Sequence, residues 1–390
     1  MSSSSEGNGL KHVISIAAIT LWMGWAFQRI WSVVSDGHVP AAYIPDSAQH
    51  LAYSDIIALY RTRFLYQHTL PYIHNRIEYP VIMGIFMWLT SLPHGLLPYF
   101  IITSVVLYAM ALVTYFMLHH LVPQKAVYWA VLPLLVVYGL LNWDLLGIAF
   151  MVVAWRSYQV QHWRRSGVWF AVAVFTKLFP VFFLPFIAAE LWRQGRTRQL
   201  GRMVWAFGAA SVVMNVPFMI ANFPNWALFY TFNAGRALGA DIYSNRWIHG
   251  IPISAANLFS LLVTVIAVVW LALRVYQGGR VPEATAYAFT IFLFVNKVYS
   301  PQYTIWLMAF ALLADWPVWT LLLLTLSGIA DYINSFTEIH IIYTQSSALS
   351  WYTREIFNLG LLFRYSALIV AGLGARFATA PPSRYPASRL

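Results

Sequence analysis

Four carboxylates follow the first apolar segment of the chain, within one polar stretch between residues 36 and 93. They are Asp36, Asp46, Asp55 and Glu78, out of only 13 acidic residues in the whole sequence. Tyr, His and Arg side chains lie between them. A carboxylate can act as a general base when a partly apolar setting raises its pKa toward neutrality. The stretch therefore predicts acid–base chemistry.

Asp55 is the first candidate for that base. If residues 47–64 form one surface helix, the carboxylate lies on a mostly apolar face. That face would hold Ala48, Leu51, Ala52, Leu59 and Thr62. In the alternative, Ser54 or Asp55 caps a helix that begins at Ile56. Local sequence supports both interpretations equally.

Supporting roles are predicted for two other carboxylates. Asp46 follows a proline and precedes Ser-Ala-Gln-His, which is typical of a helix start, so we expect it to be an N-cap. Glu78 lies two residues before Pro80, where the backbone is extended. We expect Glu78 to orient the stretch or to pair with Arg61 or Arg76, and it is also a candidate substrate contact.

Residues 296–303 form a second polar cluster, with the sequence Asn-Lys-Val-Tyr-Ser-Pro-Gln-Tyr. A lysine with several hydroxyl and amide donors beside a helix break suits a phosphate group. Lys297, Tyr299 and Gln302 are therefore the candidate phosphate ligands. The alternative is a lysine in an ordinary loop that extends to the membrane surface.

Three more charged residues stand out in apolar or aromatic surroundings. Lys177 and Asp144 each lie between apolar runs. They either pair with each other or a carbonyl, or Lys177 contacts the ligand; the sequence favours neither. Arg246 lies in a basic and aromatic loop, residues 221–252. Such a loop suits a sugar phosphate or glycolipid, and equally an interfacial anchor.

The composition indicates what must hold these residues in place. Of the 390 residues, 60% are hydrophobic and only 9% are charged, whereas about a quarter are charged in soluble domains. Apolar runs of membrane-spanning length predict an all-α, polytopic membrane protein. The net charge of +11 comes mostly from short loops, which indicates topology rather than nucleic-acid binding. The absence of cysteine excludes disulfides and thiolate metal sites.

The topology depends on whether the twelve apolar residues 81–92 cross the bilayer. A helix of that length is about 18 Å long, too short for a core of about 30 Å. Treating it as re-entrant also places the basic loops around Arg164 and Arg198 inside, as the positive-inside rule requires. Twelve spans and two cytoplasmic termini result. The spans are residues 13–34, 98–118, 127–141, 144–157, 167–177, 180–192, 203–220, 253–275, 284–296, 303–315, 318–333 and 357–375.

Four regions follow from this topology. Residues 1–12 are predicted to be a disordered cytoplasmic N-terminus. Residues 13–220 form an N-terminal module that includes the first outer loop, residues 35–97. Residues 221–378 form a C-terminal transmembrane module, and residues 379–390 a disordered cytoplasmic tail.

Short motifs occur in order along residues 53–310 and together resemble one enzyme family. They are Tyr53-Ser54-Asp55-Ile56, Pro71-Tyr72, Glu78-Tyr79-Pro80-Val81, Asn142-Trp143-Asp144-Leu145-Leu146, Lys177-Leu178-Phe179-Pro180, Asn215-Val216-Pro217, Phe229-Tyr230, and residues 296–303 with Trp306. Each is weak alone, but the set resembles bacterial C-type (GT-C) glycosyltransferases of family 87. That family includes mannosyltransferases that use polyprenyl-phosphate mannose. Residues 236–247 match only loosely.

The resemblance implies a GT-C fold of about twelve helices, with a catalytic acid in the first outer loop; the matching position is Asp55. It also implies transfer of a hexose, by default mannose, from a polyprenyl-phosphate donor to a glycolipid or glycan acceptor, with inversion. The reaction would occur on the extracytoplasmic face of the bacterial plasma membrane. It needs no cofactor; a divalent metal would be compatible, but a positive side chain can replace it.

A second function class fits the same residues. A transporter or flippase of polyprenyl-linked sugars would bind the same head group without transferring the sugar. Transporters tend to have inverted repeats and polar groups at the membrane midplane. This sequence has no evident repeat, and its polar clusters fall on one predicted side, which favours an enzyme.

Overall fold

The computed structural model describes residues 2–237, 250–345 and 351–377. About 79% of the described residues are helical. They contain no strand, and Pro71 and Asn75 form an isolated bridge. Seventeen α-helices are described. They are α1 Ser2–Val34, α2 Tyr43–Gln49, α3 Asp55–Thr62, α4 Val81–Ser91, α5 Leu96–Leu121, α6 Ala126–Val131, α7 Leu134–Tyr138, α8 Asp144–Gln159, α9 Trp163–Thr176, α10 Phe183–Arg193, α11 Thr197–Ala221, α12 Phe223–Gly235, α13 Ile253–Tyr276, α14 Val281–Val295, α15 Tyr303–Leu313, α16 Val318–Thr344 and α17 Phe357–Phe377. Short 3₁₀ turns cover Leu65–Gln67 and Phe179–Phe182, and a π-helical turn covers Tyr352–Ile356.

Five of these helices are long and apolar enough to cross a membrane. They contain the segments Gly9–Val34, Leu96–Leu121, Thr197–Ala221, Ile253–Tyr276 and Phe357–Ala375. The expected all-helical membrane protein is thus supported at this coarser level. The other seven predicted spans form shorter or less apolar helices, and the twelve-span GT-C arrangement stays a prediction.

Prolines explain why several predicted spans are short. Residues 127–141 divide into α6 and α7, because Pro133 begins the second helix and cannot donate a hydrogen bond back into the first. The predicted span 180–192 begins with the 3₁₀ turn that contains Pro180. The predicted break beside Pro301 is also present, between α14 and α15.

The structure tests the prediction for the N-terminus but not the one for the C-terminal tail. Helix α1 begins at Ser2, whereas the sequence predicted a disordered N-terminus through residue 12. Extending an existing helix adds one hydrogen bond per residue without a new nucleation cost, so polar residues can continue it. The predicted tail, residues 379–390, lies outside the described residues.

Residues 47–64 form parts of two helices rather than one. Leu51 has a left-handed backbone with a φ of 51°, and the chain turns there between α2 and α3. The apolar stripe expected around Asp55 therefore does not exist as one helical face. The prediction that Asp46 caps a helix is also wrong. It lies in the first turn of α2, whose N-cap is Ala42, because proline is tolerated there and the helix starts before Pro45.

Tyr72 connects the loop before α4 to the start of that helix. Its hydroxyl donates a hydrogen bond to the carbonyl of Pro80 at 2.7 Å. The ring lies against Gly84, where a Cβ atom would come within 2.1 Å of the Tyr72 oxygen. Only glycine therefore fits at this contact. With 11 residues, α4 is about 16 Å long and does not reach across a bilayer core.

We expect Gly84→Ala to destabilise the protein by about 1–3 kcal/mol, since the added methyl overpacks the Tyr72 contact. Thermal unfolding in detergent, followed by tryptophan fluorescence, measures this. Gly208→Ala in α11 is the matched control, because no atom lies within 4 Å of its added Cβ. Equal melting temperatures for the two variants would contradict the Tyr72–Gly84 contact.

Candidate functional site

The start of α3 is docked by backbone hydrogen bonds on the segment just before α8. The Asp55 N–H donates to the carbonyl of Leu141 at 2.7 Å. The Ser54 hydroxyl donates to the carbonyl of Leu140 at 2.6 Å and accepts from the Ile56 N–H at 3.2 Å. Ser54 is therefore the N-cap of α3, as one of the two interpretations of the sequence proposed. The Asp55 side chain is left available for other contacts.

The Asp55 carboxylate accepts hydrogen bonds from two phenols. The Tyr53 hydroxyl donates to Oδ1 at 2.9 Å, and the Tyr79 hydroxyl donates to Oδ2 at 3.4 Å. Burial raises the pKa of Asp55 to about 6, against the lowering effects of the Tyr53 hydrogen bond and the charge of Lys177. The carboxyl is only partly buried. It thus combines access with a pKa suited to proton transfer near neutrality.

Lys177 and Asp144 form a buried ion pair. The lysine Nζ lies 2.7 Å from Asp144 Oδ1, and the two side chains are 13% and 1% exposed. Of the interpretations that the sequence left open, the structure thus supports mutual pairing. Burial lowers the pKa of Lys177, but the charge and hydrogen bond of Asp144, together with Tyr303 and Asp55, offset this and raise the pKa overall. The lysine therefore stays charged in an apolar setting.

Tyr79 joins this ion pair to Asp55. Its hydroxyl faces the Asp55 carboxylate, and its ring centroid lies 5.7 Å from the Lys177 Nζ. The Tyr79 ring also packs edge-on against Trp143. The Asp55 cluster is defined here as Asp55, Tyr79, Asp144 and Lys177. It is a carboxylate and a lysine-based ion pair, both in contact with one aromatic ring.

Three tyrosines of this site were missed as site residues at the sequence level. Tyr53 and Tyr79 bind Asp55 directly, and the Tyr303 ring centroid lies 5.8 Å from the Lys177 Nζ. Proline offers one usable signal for Tyr79. Tyr79 immediately precedes Pro80, and a residue before proline is restricted to extended backbone, which limits the directions that the Tyr79 side chain can take.

Glu78 pairs with Arg63 rather than with Arg61 or Arg76. Arg63 Nε and Nη2 each donate to one carboxylate oxygen, which gives a bidentate ion pair. The reason is that α3 ends at Thr62 and Arg63 is its C-cap residue. The pair connects the end of α3 to the segment before Pro80, consistent with an orienting role for Glu78.

Lys297 lies against the end of α12. Its Nζ donates to the carbonyl of Ala234 at 2.9 Å, and the residue is 5% exposed. Burial and the charge of Arg236 lower the pKa of Lys297. Within the described residues, no hydrogen bond or ion pair connects Lys297 to the Asp55 cluster. Helix α12 does reach the first loop, because Asn222 donates to the carbonyl of Ile73 at 3.2 Å.

Tyr299 faces a different partner from Lys297. The guanidinium of Arg364 lies 4.4 Å from the Tyr299 ring centroid and donates to the Tyr299 carbonyl. Arg364 is paired in turn with Asp331 at 3.0 Å, and both are almost fully buried. Gln302 occupies the N-cap position of α15. Arg246 lies outside the described residues.

Comparison with known proteins adds no family to these observations. No protein-family model matches the chain, and no curated protein matches it either. Among the described residues, no group of three or more His, Asp or Glu side chains could hold a metal ion. The function must therefore be argued from the Asp55 cluster and its surroundings.

We expect Asp55→Asn to raise the melting temperature at pH 8. The folded-state pKa of about 6 lies above the ordinary value of 3.8, so ionising Asp55 destabilises the fold as the pH rises through this window. The increase in melting temperature relative to the wild type should reach its full size above about pH 6 and vanish below about pH 4.

A pH series of melting temperatures tests this, with Asp36→Asn as the control because that carboxylate is well exposed. A lower melting temperature for Asp55→Asn than for the wild type at pH 8 would contradict the assigned pKa. A pH-independent change would do the same.

Proposed function

We propose that the protein is an integral-membrane hexosyltransferase. It transfers a hexose, by default mannose, from a polyprenyl-phosphate donor to a hydroxyl of a glycolipid or glycan acceptor on the extracytoplasmic face. The observation that carries the proposal is Asp55, a partly buried carboxylate with a pKa of about 6. The motif resemblance of residues 53–310 supports the donor class, and the five apolar helices support the membrane setting.

Asp55 would act as the general base. Above about pH 6 it is ionised and takes the proton from the acceptor hydroxyl. The acceptor oxygen then forms a bond to the anomeric carbon, and the bond from that carbon to the phosphate oxygen breaks on the opposite face. Polyprenyl phosphate leaves as an anion without needing a proton. One base is therefore sufficient, and the anomeric configuration inverts, as in inverting glycosidases.

Tyr53 and Tyr79 would orient that base. Each phenol occupies one carboxylate oxygen, which fixes the plane of the carboxyl group. The second lone pair of each oxygen remains available to the acceptor hydroxyl. Tyr79 keeps its own proton, because burial raises its pKa well above its ordinary value of 10.0. Fixing the base in this way lowers the entropic cost of reaching the reactive geometry.

Positive charge for the donor phosphate would come from lysine. Lys297 has a carbonyl partner and no carboxylate partner within the described residues, so its charge is available to an anion. Lys177 is already neutralised by Asp144 and would act on Asp55, whose pKa its charge lowers. Lys297 would therefore stabilise the leaving phosphate, and Lys177 would set the pKa of Asp55. Tyr299 and Gln302 would hold the loop that carries Lys297.

The C-terminal helices would shape the acceptor side. Phe336 of α16 stacks on Tyr53 with ring centroids 5.2 Å apart. Tyr332 of the same helix donates to the Leu51 carbonyl at 2.7 Å, in the turn between α2 and α3. Part of the wall near Asp55 therefore comes from beyond residue 316. Differences in α16 would change the acceptor without changing the base.

We expect Asp55→Asn to abolish transfer of labelled sugar from a polyprenyl-phosphate donor by purified protein. Asn keeps the shape and one acceptor oxygen but cannot accept the proton, and loss of a general base costs roughly 10²–10⁴-fold. Asp46→Asn is the matched control and should retain activity, because Asp46 lies in α2 with its backbone in the helix.

Two outcomes would overturn the proposal. Retained transfer in Asp55→Asn would exclude Asp55 as the base. Binding of lipid-phosphate sugars by the wild type without any transfer, together with their movement across vesicle membranes, would instead establish the transporter alternative.

We expect Lys297→Ala to raise the KM for the donor by about tenfold or more, since a charge-assisted contact to phosphate is lost. The KM for the acceptor should change little. Lys297→Arg should recover much of the donor affinity, and Lys11→Ala, which removes an exposed cation from α1, is the charge-matched control. Equal increases in both KM values would argue against a donor-phosphate role.

A further inference from the structure

A cleft of about 710 Å³ lies between α13, α14 and α17, away from the Asp55 cluster. Its walls are largely apolar and come from Leu271, Val275, Ile291, Phe294, Leu368 and Leu373. Two of the three helices, α13 and α17, are among those long and apolar enough to cross a membrane. The cleft therefore runs beside segments that lipid chains would surround.

One end of the cleft is polar and basic. Arg274, Gln277, Arg280 and Glu283 line it, all from the end of α13 and the start of α14. Glu283 makes no ion pair with either arginine in the described residues. Two arginines and one glutamate leave this end with a net charge of +1. It is thus complementary to a head group that carries one negative charge.

A tight turn brings the two arginines to the same end. Gly278 has a left-handed φ of 113°, and the Gly279 N–H donates to the Arg274 carbonyl at 2.9 Å. A Cβ atom at Gly279 would lie only 2.9 Å from that carbonyl oxygen. The closeness of the two helices, and so of Arg274 and Arg280, is fixed by this glycine pair.

The boundary between the charged end and the apolar walls is marked by an aromatic ring. The Arg274 guanidinium lies 5.7 Å from the centroid of Trp270, which also lines the cleft and is half exposed. Tryptophan beside arginine is typical of the membrane–water interface, where the ring lies at head-group level. The basic end, Trp270 and the apolar walls thus lie in the same order as the phosphate, the interfacial region and the acyl chains of a phospholipid.

We propose that this cleft binds an anionic phospholipid, with its phosphate at Arg274 and Arg280 and an acyl chain along the walls of α13, α14 and α17. The chain's own C-terminus is a poor occupant, because residues 376–390 contain three arginines and no acidic residue. The site is also separate from the donor site. Helix α14, Val281–Val295, has 15 residues and is about 22 Å long. Arg280 precedes its first residue and Lys297 follows its last, so the two cations lie at opposite ends of the helix.

Native mass spectrometry of the full-length protein, released from nanodiscs that contain phosphatidylglycerol or phosphatidylcholine, tests the proposal. We expect one phosphatidylglycerol to stay bound to the wild type and phosphatidylcholine to bind more weakly. Arg274→Gln/Arg280→Gln should weaken phosphatidylglycerol binding roughly tenfold or more. The variant Arg274→Lys/Arg280→Lys should retain most of it. Arg198→Gln/Arg202→Gln in α11 removes the same charge elsewhere and should change little.

A second variant tests the apolar part independently of charge. Gly372 lines the cleft, and an added Cβ there would meet only Thr290 at 3.8 Å, an ordinary contact. Gly372→Leu should therefore fill the cleft without disturbing the fold and displace the lipid. Gly208→Leu, on an open surface of α11, is the size-matched control and should keep the lipid.

The proposal is overturned by any of three results. Phosphatidylglycerol binding that is unchanged in both Arg274→Gln/Arg280→Gln and Gly372→Leu would place the lipid elsewhere. Equal loss in the control variants would show nonspecific adsorption. A lipid-free species with the mass of two chains, lost in Gly372→Leu, would show that a second copy covers the cleft.

Discussion

A buried lysine at the end of α9 needs a carboxylate beside it, and much of the site follows from that requirement. An isolated ammonium group in an apolar setting would cost several kcal/mol, and Asp144 at the start of α8 offsets that cost at 2.7 Å. The two helix ends are thereby held together. Gly147, one turn along α8, allows Trp306 and the Lys177 side chain to approach closely. The aromatic rings around Lys177 exclude water and strengthen the attraction further.

The loop that carries Lys297 depends on a second buried ion pair, far from the first in sequence. Arg364 of α17 pairs with Asp331 of α16 and also holds the Tyr299 carbonyl and ring. A loop beside a helix break has few hydrogen bonds of its own, so an outside contact must fix its shape. Helices α16 and α17, which contain none of the motifs in residues 53–310, therefore support the loop that carries Lys297.

Sequence alone predicted the helical class, the breaks at Pro180 and Pro301, and the importance of Lys177 and Asp144. These depend on local rules, namely hydropathy, proline geometry and the cost of buried charge. The partner of Glu78 and the contact of Tyr303 with Lys177 could not be predicted, because they depend on where separate segments meet. The single helix expected over residues 47–64 failed for a local reason, since the left-handed turn at Leu51 leaves no strong signal in a non-glycine residue.

The docking of Ser54 and Asp55 on Leu140 and Leu141 uses only carbonyl oxygens on the α8 side. A carbonyl is present whatever residue occupies the position, so this contact places no demand on the identity of either leucine's side chain. Alanine scanning across residues 140–141 would therefore report packing and leave the support of the base unseen. These backbone hydrogen bonds can be kept while residues 140 and 141 change, so a related protein that has them need not have leucine at either position.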